Sequence, residues 1–365
     1  MTIDHPLAKA AWTSVPEVAV LIVCHNGRRF LRDCLSSVLA SDDGEIVRHI
    51  VVVDNASRDG SADFLACVFP QVDVVRCTVN RGFAGGNNRG WEHIAKTYPK
   101  VDYIALLNQD TVVESGWLRP LIDYLESHPV AGAAQPKILL HPQTHLLNTV
   151  GNSSHFLGFG FTTGYLDPDD GRFGSVRAID FPSGAAAVVR AAALRNVDLF
   201  DEQLFLYLED AELGWKLRQR GYETVFIPSS VVYHNYAFQS AFRAYYYLER
   251  NRWWLLAVYY KTPTLLLLCP AALAMELGQW YFAMRHGLLR QKLRACGFFL
   301  NRRNLAALMR RRRVVQARRV ISDRRFLWSF AGAVTNPELR SPLLRRIANP
   351  IFEAYWQCAR RLIAW

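Results

Sequence analysis

No two of the seven cysteines in this 365-residue chain (positions 24, 34, 67, 77, 269, 296 and 358) are spaced as C-x-x-C, and their number is odd. That argues against a disulfide framework, and the cysteines read as reduced packing residues of a cytosolic protein. No low-complexity tract and no repeat of about 20 to 50 residues is present, so solenoids and arrays are excluded. The first fifteen residues lack a basic start followed by an apolar run, and no secretory leader is expected. No G-x-G-x-x-G follows the first apolar run, where "CHNGRRFL" offers a single glycine, and no G-x-x-x-x-G-K-[ST] occurs anywhere. Dinucleotide-dependent oxidoreductases and P-loop NTPases are therefore disfavoured.

What is present is globular, 51% hydrophobic and 21% charged. The length calls for a main domain of about 200 to 250 residues with an appendage. The formal charge of +11 is concentrated between Arg285 and Arg325, where fourteen Lys or Arg face the single acid Asp323. The rest of the chain is close to neutral, so a polyanion contact belongs to the C-terminal part alone.

"VAVLIVC", Val18 to Cys24, is a continuous β-branched run suited to a strand buried on both faces. Phe30, Leu31, Cys34, Leu35, Val38 and Leu39 then recur at helical spacing. The alternation repeats: a strand from Ile46 to Val53, a helix capped by Asp59 or Ser61 and running to about Phe69, and a strand from Val72 to Cys77. "NRGFAGGNNRG" reads as a glycine-rich loop, Trp91 to Tyr98 as a helix and Tyr103 to Leu107 as a fourth strand. This order predicts right-handed crossovers and a doubly wound, mostly parallel sheet.

Ligands of such sheets lie outside the carboxyl ends of the strands. Those ends carry His25 and Asn26, Asp54 and Asn55, Asn80 and Arg81, and Asn108, Gln109 and Asp110. Any one of them is explained by loops being wet; four together, with two carboxylates, point to a site. Asp110 offers a hard oxygen to Mg2+ or Mn2+, which commonly takes one or two carboxylates and completes its shell with substrate phosphates. Asp54 suits the imide of a base or a ribose hydroxyl. The combination fits a nucleoside diphosphate.

The segments "VAVLIVCHNGRRFLRDCLSSVL", "IVVVDNASRDGS", "NRGFAGGNNRG", "LLNQDT" and "FDEQLFLYLEDAELGWKLRQRGY" stand in the order seen in family-two glycosyltransferases, inverting nucleotide-sugar enzymes of GT-A fold, which the chain resembles over about residues 16 to 260. It looks most like the bacterial branch containing rhamnosyltransferases of cell-surface polysaccharide assembly. The resemblance implies that Asp54 binds the base and that Asp110 holds the metal bridging the diphosphate, with Asn108 where the family's D-x-D has its first Asp. It implies that Asp210 is the general base of a single inverting displacement, and that His234 shares the ion with Asp110. Glu209 and Glu212 are expected to orient the acceptor or to pair with Arg218 or Arg220. "PSGAAAVVRAAAL" resembles the segment lining the acceptor pocket, so Ser183 and Gly184 are expected there.

From the residues alone, "LYLEDAELGWKLRQRG" reads as a helix from about Asp210, stopping at Gly221. Leu213 and Leu217 place the Asp210 carboxylate near the core-facing side. Glu209 and Asp210 stand at the amino end, where the helix dipole favours ionised carboxylates, and an ionised carboxylate can act as a base. Acids in a first turn are also ordinary dipole complements, and His234 could be a core histidine. "YYYLERNRWW" offers rings for sugar stacking, with Arg250 or Arg252 for the diphosphate, Arg250 being placed with the acceptor.

In Trp253 to Met284, only fourteen residues separate Lys261 from Glu276 and two prolines interrupt them. That favours helices embedded in one leaflet over a crossing. Leu305, Leu308, Met309, Val314 and Val315 interleave with the arginines that follow, as in a helix on an anionic cytoplasmic leaflet. A nucleic-acid partner is not expected, because such a tail has no use for the apolar stretch. The expectation is thus a tail over 1–15, a GT-A catalytic domain over 16–250 and a helical membrane-associating region over 251–365. The expected enzyme moves a sugar, rhamnose being one option, from a nucleoside-diphosphate sugar to a polyprenyl-diphosphate-linked or polysaccharide acceptor at the cytoplasmic face of the cell membrane, bound peripherally or monotopically. The alternatives are a sugar nucleotidyltransferase, which wants a glycine-rich basic loop after the first strand, and an inactive membrane scaffold.

Overall fold

Alternate residues of the first strand feed two cores. Val18, Val20, Ile22 and Cys24 pack with Leu31, Cys34, Leu35 and Val38. Ala19 and Leu21 pack on the other side with Ala84 and Ile94. The strand is buried on both faces, as its unbroken apolar run requires, and each such side chain contributes roughly 1.5–3 kcal/mol. The structure, a computed structural model, describes residues 14–236, 241–335 and 342–365, so nearly all of the tail expected over 1–15 lies outside the described residues.

The elements of the first part run β1 (Glu17–Cys24), α1 (Arg28–Ala40), β2 (Val47–Asp54), α2 (Ser61–Val68), β3 (Asp73–Arg76), α3 (Gly82–Thr97), β4 (Tyr103–Asn108), β5 (Thr111–Val113), α4 (Leu118–Ser127), β6 (Ala131–Leu140), β7 (Leu147–Thr149), β8 (Asn152–Ser154), β9 (Gly160–Thr162), β10 (Arg177–Ile179), β11 (Ala186–Arg190), α5 (Glu209–Gln219) and β12 (Glu223–His234). The main sheet follows the order β10, β12, β6, β11, β4, β1, β2, β3. Strands β4, β1, β2 and β3 are parallel, whereas β11 is antiparallel to both β4 and β6. The expected mixed, mostly parallel α/β architecture is thus the one found.

The glycine-rich "NRGFAGGNNRG" departs from expectation: from Gly82 onward it is the first half of α3, not a loop. Gly82, Gly86 and Gly90 recur every four residues and form one face of the helix. A Cβ on Gly86 would come within 2.7 Å of Val23, and one on Gly90 within 2.2 Å of Leu21. The glycines let α3 lie directly on β1 and β2, and that contact overrides their weak helix propensity. The cysteines also depart in part: Cys24 and Cys34 are buried, but Cys67, Cys269, Cys296 and Cys358 are exposed.

The chain divides into two compact units. One takes the residues up to Asn152 with Thr162–Leu217 and Tyr222–Tyr236; the other takes Ser153–Phe161, Arg218–Gly221 and the chain from α6 onward. The second holds α6 (Ala241–Tyr259), α7 (Thr262–Arg285), α8 (Leu289–Leu300), α9 (Arg302–Ala317), α10 (Asp323–Phe326) and α11 (Asn349–Leu362). The expected boundary at 250/251 falls inside α6. In this unit Arg252 and Lys292, both fully buried, meet Glu249 and Glu276: Arg252 lies 2.8 Å from Glu249 and 2.5 Å from Glu276, and Lys292 lies 2.5 and 2.6 Å from the same two. This ion quartet joins α6, α7 and α8.

Pro263 and Pro270 do not interrupt α7, contrary to expectation. The first lies in its opening turn, where no N–H is required, and the second is carried inside the helix. By length and composition alone the 24-residue helix could cross a membrane, with a mean hydropathy of 1.3. Its face at Leu266, Leu273, Leu277, Tyr281 and Met284 is exposed.

Candidate active site

The rim expected from four strand ends exists, and much of its polar chemistry is spent on holding itself. His25 donates its N–H to Gln109 Oε1 (3.0 Å), and its Nδ1 lies 2.9 Å from the Asn55 carbonyl. Asn26, at φ +52°, takes the N–H of Arg58 (2.8 Å) and gives its own to Ser57 Oγ (3.0 Å), tying β1 to the loop after β2. Asn55 is buried; its amide donates to Asn80 Oδ1 (3.2 Å) and the Gly82 carbonyl (2.9 Å) and accepts the Arg81 N–H (2.9 Å). Asn80 also accepts the Gly82 N–H at 2.8 Å. Both asparagines, expected as donor contacts, fix the turn that starts α3. Asp54 is buried beside them and accepts the Ser57 N–H (3.2 Å), while Arg81 is exposed.

The second group forms where β5 pairs antiparallel with β12, setting His234 opposite Thr111. His234 Nε2 then lies 3.3 Å from Asp110 Oδ1, and the Asp110 carbonyl takes the Asn235 N–H at 2.8 Å. His234 Nδ1 is 2.9 Å from Asn148 Oδ1 on β7, the arrangement in which Nδ1 carries the proton and Nε2 keeps its lone pair. A lone pair and a carboxylate facing each other need a proton or a cation between them. Adjacent ligands of a small divalent ion are about 3 Å apart, so Asp110 and His234 fit one. No cluster of three or more His, Cys, Asp or Glu suited to a metal exists among the described residues. Asn108 gives its N–H to the Ala185 carbonyl (2.9 Å), and its own carbonyl accepts Thr111 Oγ1 (2.8 Å).

The third group is the start of α5. The three residues Phe205, Tyr207 and Leu208 just before it hold φ near +60° without being glycine, a concentration of strain that tertiary packing must impose. Part of that packing is the close approach of Phe205 to Gly82, where a Cβ would lie 2.2 Å from the Phe205 carbonyl. Glu209 is buried, and its Oε2 has no hydrogen-bond partner. The Asp210 carboxylate accepts the N–H of Ala211 at 2.8 Å. The helix terminus was expected to keep both acids ionised, but burial pushes both above the usual carboxyl range, Glu209 further because Asp210 and Glu212 repel its charge. Desolvation outweighs a dipole contribution of about 0.3–1 kcal/mol. Glu212, expected to pair with Arg218 or Arg220, meets Lys216 at 3.0 Å. Tyr222 N–H closes the helix on the Leu217 carbonyl (3.0 Å) beside Gly221 at φ +87°.

Gly184, expected beside an acceptor, lies next to Asp210: a Cβ on it would stand 3.9 Å from that of Asp210. Arg250 differs from expectation. It belongs to the second unit, is 7% exposed, and has its guanidinium bonded to Asn251 and ringed by Tyr246, Tyr247 and Phe298, so it is not offered to a diphosphate. Gln135 and Asn148 were not anticipated. The signal for Gln135 and Asn148 was a lone amide inside the apolar stretches "AGAAQPKILL" and "HLLNTVG".

A strand-end rim, an Asp–His pair and a carboxylate at the start of α5 on a doubly wound sheet describe a fold of GT-A type. Residues 16–255 match the family model described as glycosyltransferase like family 2, and the chain belongs to that family. It is 27% identical over 210 residues to the N-acetylglucosaminyl-diphospho-decaprenol L-rhamnosyltransferase of Mycobacterium tuberculosis, covering 52% of this chain and 66% of that protein. It is 23% identical over 213 residues to the poly-beta-1,6-N-acetyl-D-glucosamine synthase of Staphylococcus aureus, covering 58% of this chain and 48% of that protein. The match therefore spans less than two thirds of these curated relatives. Among solved structures, GalNAc-T7 with UDP, GalNAc and Mn2+ is similar at a TM-score of 0.53 and 16% identity, over 68% of this chain and 49% of that one. The mannosyltransferase PcManGT of Pyrobaculum calidifontis, in complex with GDP-Man and Mn2+, is similar at 0.50 and 16%, over 84% and 86%. These two likenesses concern the fold.

Proposed function

We propose that this glycosyltransferase is an inverting, divalent-metal-dependent enzyme that takes its sugar from a nucleoside diphosphate. The observation that carries the reading is the Asp110–His234 pair, a carboxylate oxygen 3.3 Å from an imidazole nitrogen on the rim where a sheet of this kind binds ligands. Asp110 and His234 would hold Mg2+ or Mn2+, which would neutralise charge on a departing diphosphate. Asp54 and Arg81 bind the base, and Asn108 contacts the donor. Asp210 takes the proton of the acceptor hydroxyl as its oxygen bonds to the anomeric carbon. The bond from that carbon to the phosphate oxygen breaks on the opposite face, its electron pair leaving with the nucleotide. Ser183 and Gly184, small and beside Asp210, border the acceptor.

The acceptor we infer is lipid-linked, a polyprenyl-diphosphate saccharide, or a growing polysaccharide, and the sugar is rhamnose; the mycobacterial relative supports both. The exposed apolar face of α7 and the arginines of α9 support a cytoplasmic membrane surface, bound monotopically. Glu276 in mid-helix is tied to Arg252 and Lys292 on its neighbours, which favours α7 lying with them in one leaflet.

Titration calorimetry with UDP, dTDP and GDP, in Mn2+, Mg2+ and chelator, tests the reading. One nucleotide should bind tightly with metal, at least tenfold more weakly in chelator, in Asp110→Ala and in His234→Ala. Binding of none under any metal, or equal binding by both variants, would overturn it.

A further inference from the structure

Tyr236 stands two residues beyond His234, and among the described residues of the first unit it is the only exposed Phe, Tyr or Trp side chain, at 39%. Its N–H is bonded to the His234 carbonyl at 2.8 Å, and the residue between them, Asn235, gives its own N–H to the Asp110 carbonyl at 2.8 Å. The ring centroid of Tyr236 lies 5.4 Å from that of His234, with the planes tilted by 44°. Tyr165, half-buried, meets Tyr236 edge-on at 5.9 Å and 87°. The loop carrying Tyr165 is fastened to β7. The Leu166 N–H goes to the Leu147 carbonyl (3.0 Å) and the Leu147 N–H to the Asp167 carbonyl (2.9 Å), one residue from the Asn148 that holds His234. Two rings at right angles thus form a corner fixed to the Asp110–His234 pair.

The strand order tells which end of a nucleotide sugar meets this corner. Asp54 ends β2 and Arg81 follows β3, at one edge of the sheet, and Asp110 follows β4 nearer the middle. Tyr236 follows β12, and Tyr165 is tied to β7, which pairs with β6, on the other side of β4. In a nucleoside-diphosphate sugar the base and the sugar hang from opposite ends of the diphosphate. With the base at Asp54 and the diphosphate at Asp110, the group left to reach the corner is a sugar ring, whose C–H bonds present an apolar face to an aromatic one. The rings expected to stack sugars, Tyr245 to Tyr247, belong instead to the second unit, where Tyr245 faces Phe282 at 6.0 Å and Arg250 lies over Tyr246 and Tyr247.

We propose that Tyr236 and Tyr165 form a saccharide platform that packs on a pyranose ring carried by a diphosphate at the Asp110–His234 pair, either that of the donor or that of a diphosphate-linked acceptor. The inference rests on the reading of this pair as the metal site of the diphosphate. Loss of a ring should then remove the sugar's share of binding and leave the nucleotide's share.

The test is titration calorimetry in Mn2+ with dTDP, with dTDP-rhamnose and, in the presence of dTDP, with N-acetylglucosaminyl-diphospho-polyprenol in detergent. UDP with UDP-N-acetylglucosamine, or GDP with GDP-mannose, replaces the first two probes if the wild type selects that base. Tyr236→Ala should bind dTDP as the wild type does and lose about two- to tenfold in affinity for dTDP-rhamnose or for the polyprenol probe, the one that weakens identifying the source of the ring. Tyr236→Phe, which keeps the ring, should match the wild type. An equal loss for dTDP and dTDP-rhamnose would mean that the ring only packs His234, and no loss for any probe that it meets no sugar; either result overturns the platform and leaves the metal site standing. Binding of no nucleotide by the wild type removes the metal-site reading and the platform with it. Should Tyr236→Ala not fold, Tyr165→Ala, which removes the second ring of the corner, carries the same expectation.

Discussion

Glu209, buried, and Asp210, half-buried, open α5, and the cost of charging them is carried by the folded chain alone. An unfolded carboxyl ionises near pH 4, whereas both groups release their protons later when folded. Above about pH 4 the folded state therefore binds more protons than the unfolded state, and stability falls as pH rises through the raised folded values. Glu209→Gln removes the larger share of this drift. Thermal unfolding at pH 5, 6.5 and 8 should show a flatter decline in Tm than wild type, with the variant more stable at pH 8; an identical slope would mean that Glu209 is ionised at neutrality. Asp210→Asn should likewise stabilise at pH 8, while transfer falls by about 10²- to 10⁴-fold and nucleotide binding stays. A variant that still transfers at the wild-type rate would favour the inactive-scaffold alternative. Asp110, Asp210 and His234 were legible in the sequence because each stands where an apolar run stops or a helix starts. Gln135 and Asn148 were not, because their partners, Ser183 and His234, meet them only through long-range strand pairing.

Helix α3 shows why element type was harder to read than element order. Four glycines in nine residues suggest a loop by propensity, and a single glycine costs about 1 kcal/mol relative to alanine in a helix. The spacing of Gly82, Gly86 and Gly90 carried the contrary signal, a flat helical face, but only the sheet beneath gives that face a purpose. Gly90→Ala would set a Cβ 2.2 Å from Leu21 Cδ1 and 2.9 Å from Val53 Cγ2, both anchored in parallel strands. The clash should exceed the gain in propensity and destabilise by about 1–3 kcal/mol in urea unfolding. Gly297, exposed within α8 with nothing within 4 Å of its Cβ position, is the control: Gly297→Ala should stabilise by up to about 1 kcal/mol. Equal effects of the two substitutions would refute the close-packing account of α3. The same logic applies to α7, where two prolines suggested a break. The helix continues because the first proline falls in its opening turn and the second is tolerated inside it.

At the scale of the whole chain, charge is divided: the segment from Arg285 to Arg325 is strongly basic and the remainder near neutral. The arginines in it do not all face water. Arg312 is bonded to the carbonyls of Ala257 and Tyr260 and to Thr262 Oγ1 (3.1 Å), and is an internal tie of the second unit. Arg302, Arg303, Arg310 and Arg313 are exposed, next to exposed Leu305, Met309 and Val314 on the same helix. That combination, with the bare apolar face of α7, would serve a purely aqueous surface poorly. Near an anionic leaflet each basic residue contributes about 1 kcal/mol, and the contribution is screened by salt. Sedimentation with phosphatidylglycerol vesicles should therefore carry the protein down at low ionic strength, more weakly at high salt and hardly at all with neutral vesicles. Arg303→Ala with Arg310→Ala should weaken binding by about 30-fold, two increments of about 1 kcal/mol each, while Arg312→Ala should act through stability instead. Leu273→Asp with Leu277→Asp on α7 separates the apolar contribution, since it should abolish the binding that survives at high salt. Vesicle binding indifferent to both pairs would return the basic helix to the role of a solvated face. The ion quartet that includes Glu276 of α7 supplies the stability control: Glu276→Ala leaves Arg252 and Lys292, both fully buried, to share Glu249, one buried positive charge in excess, and should cost about 3–5 kcal/mol, so a loss of vesicle binding is attributed to the surface only in variants whose unfolding midpoint is unchanged.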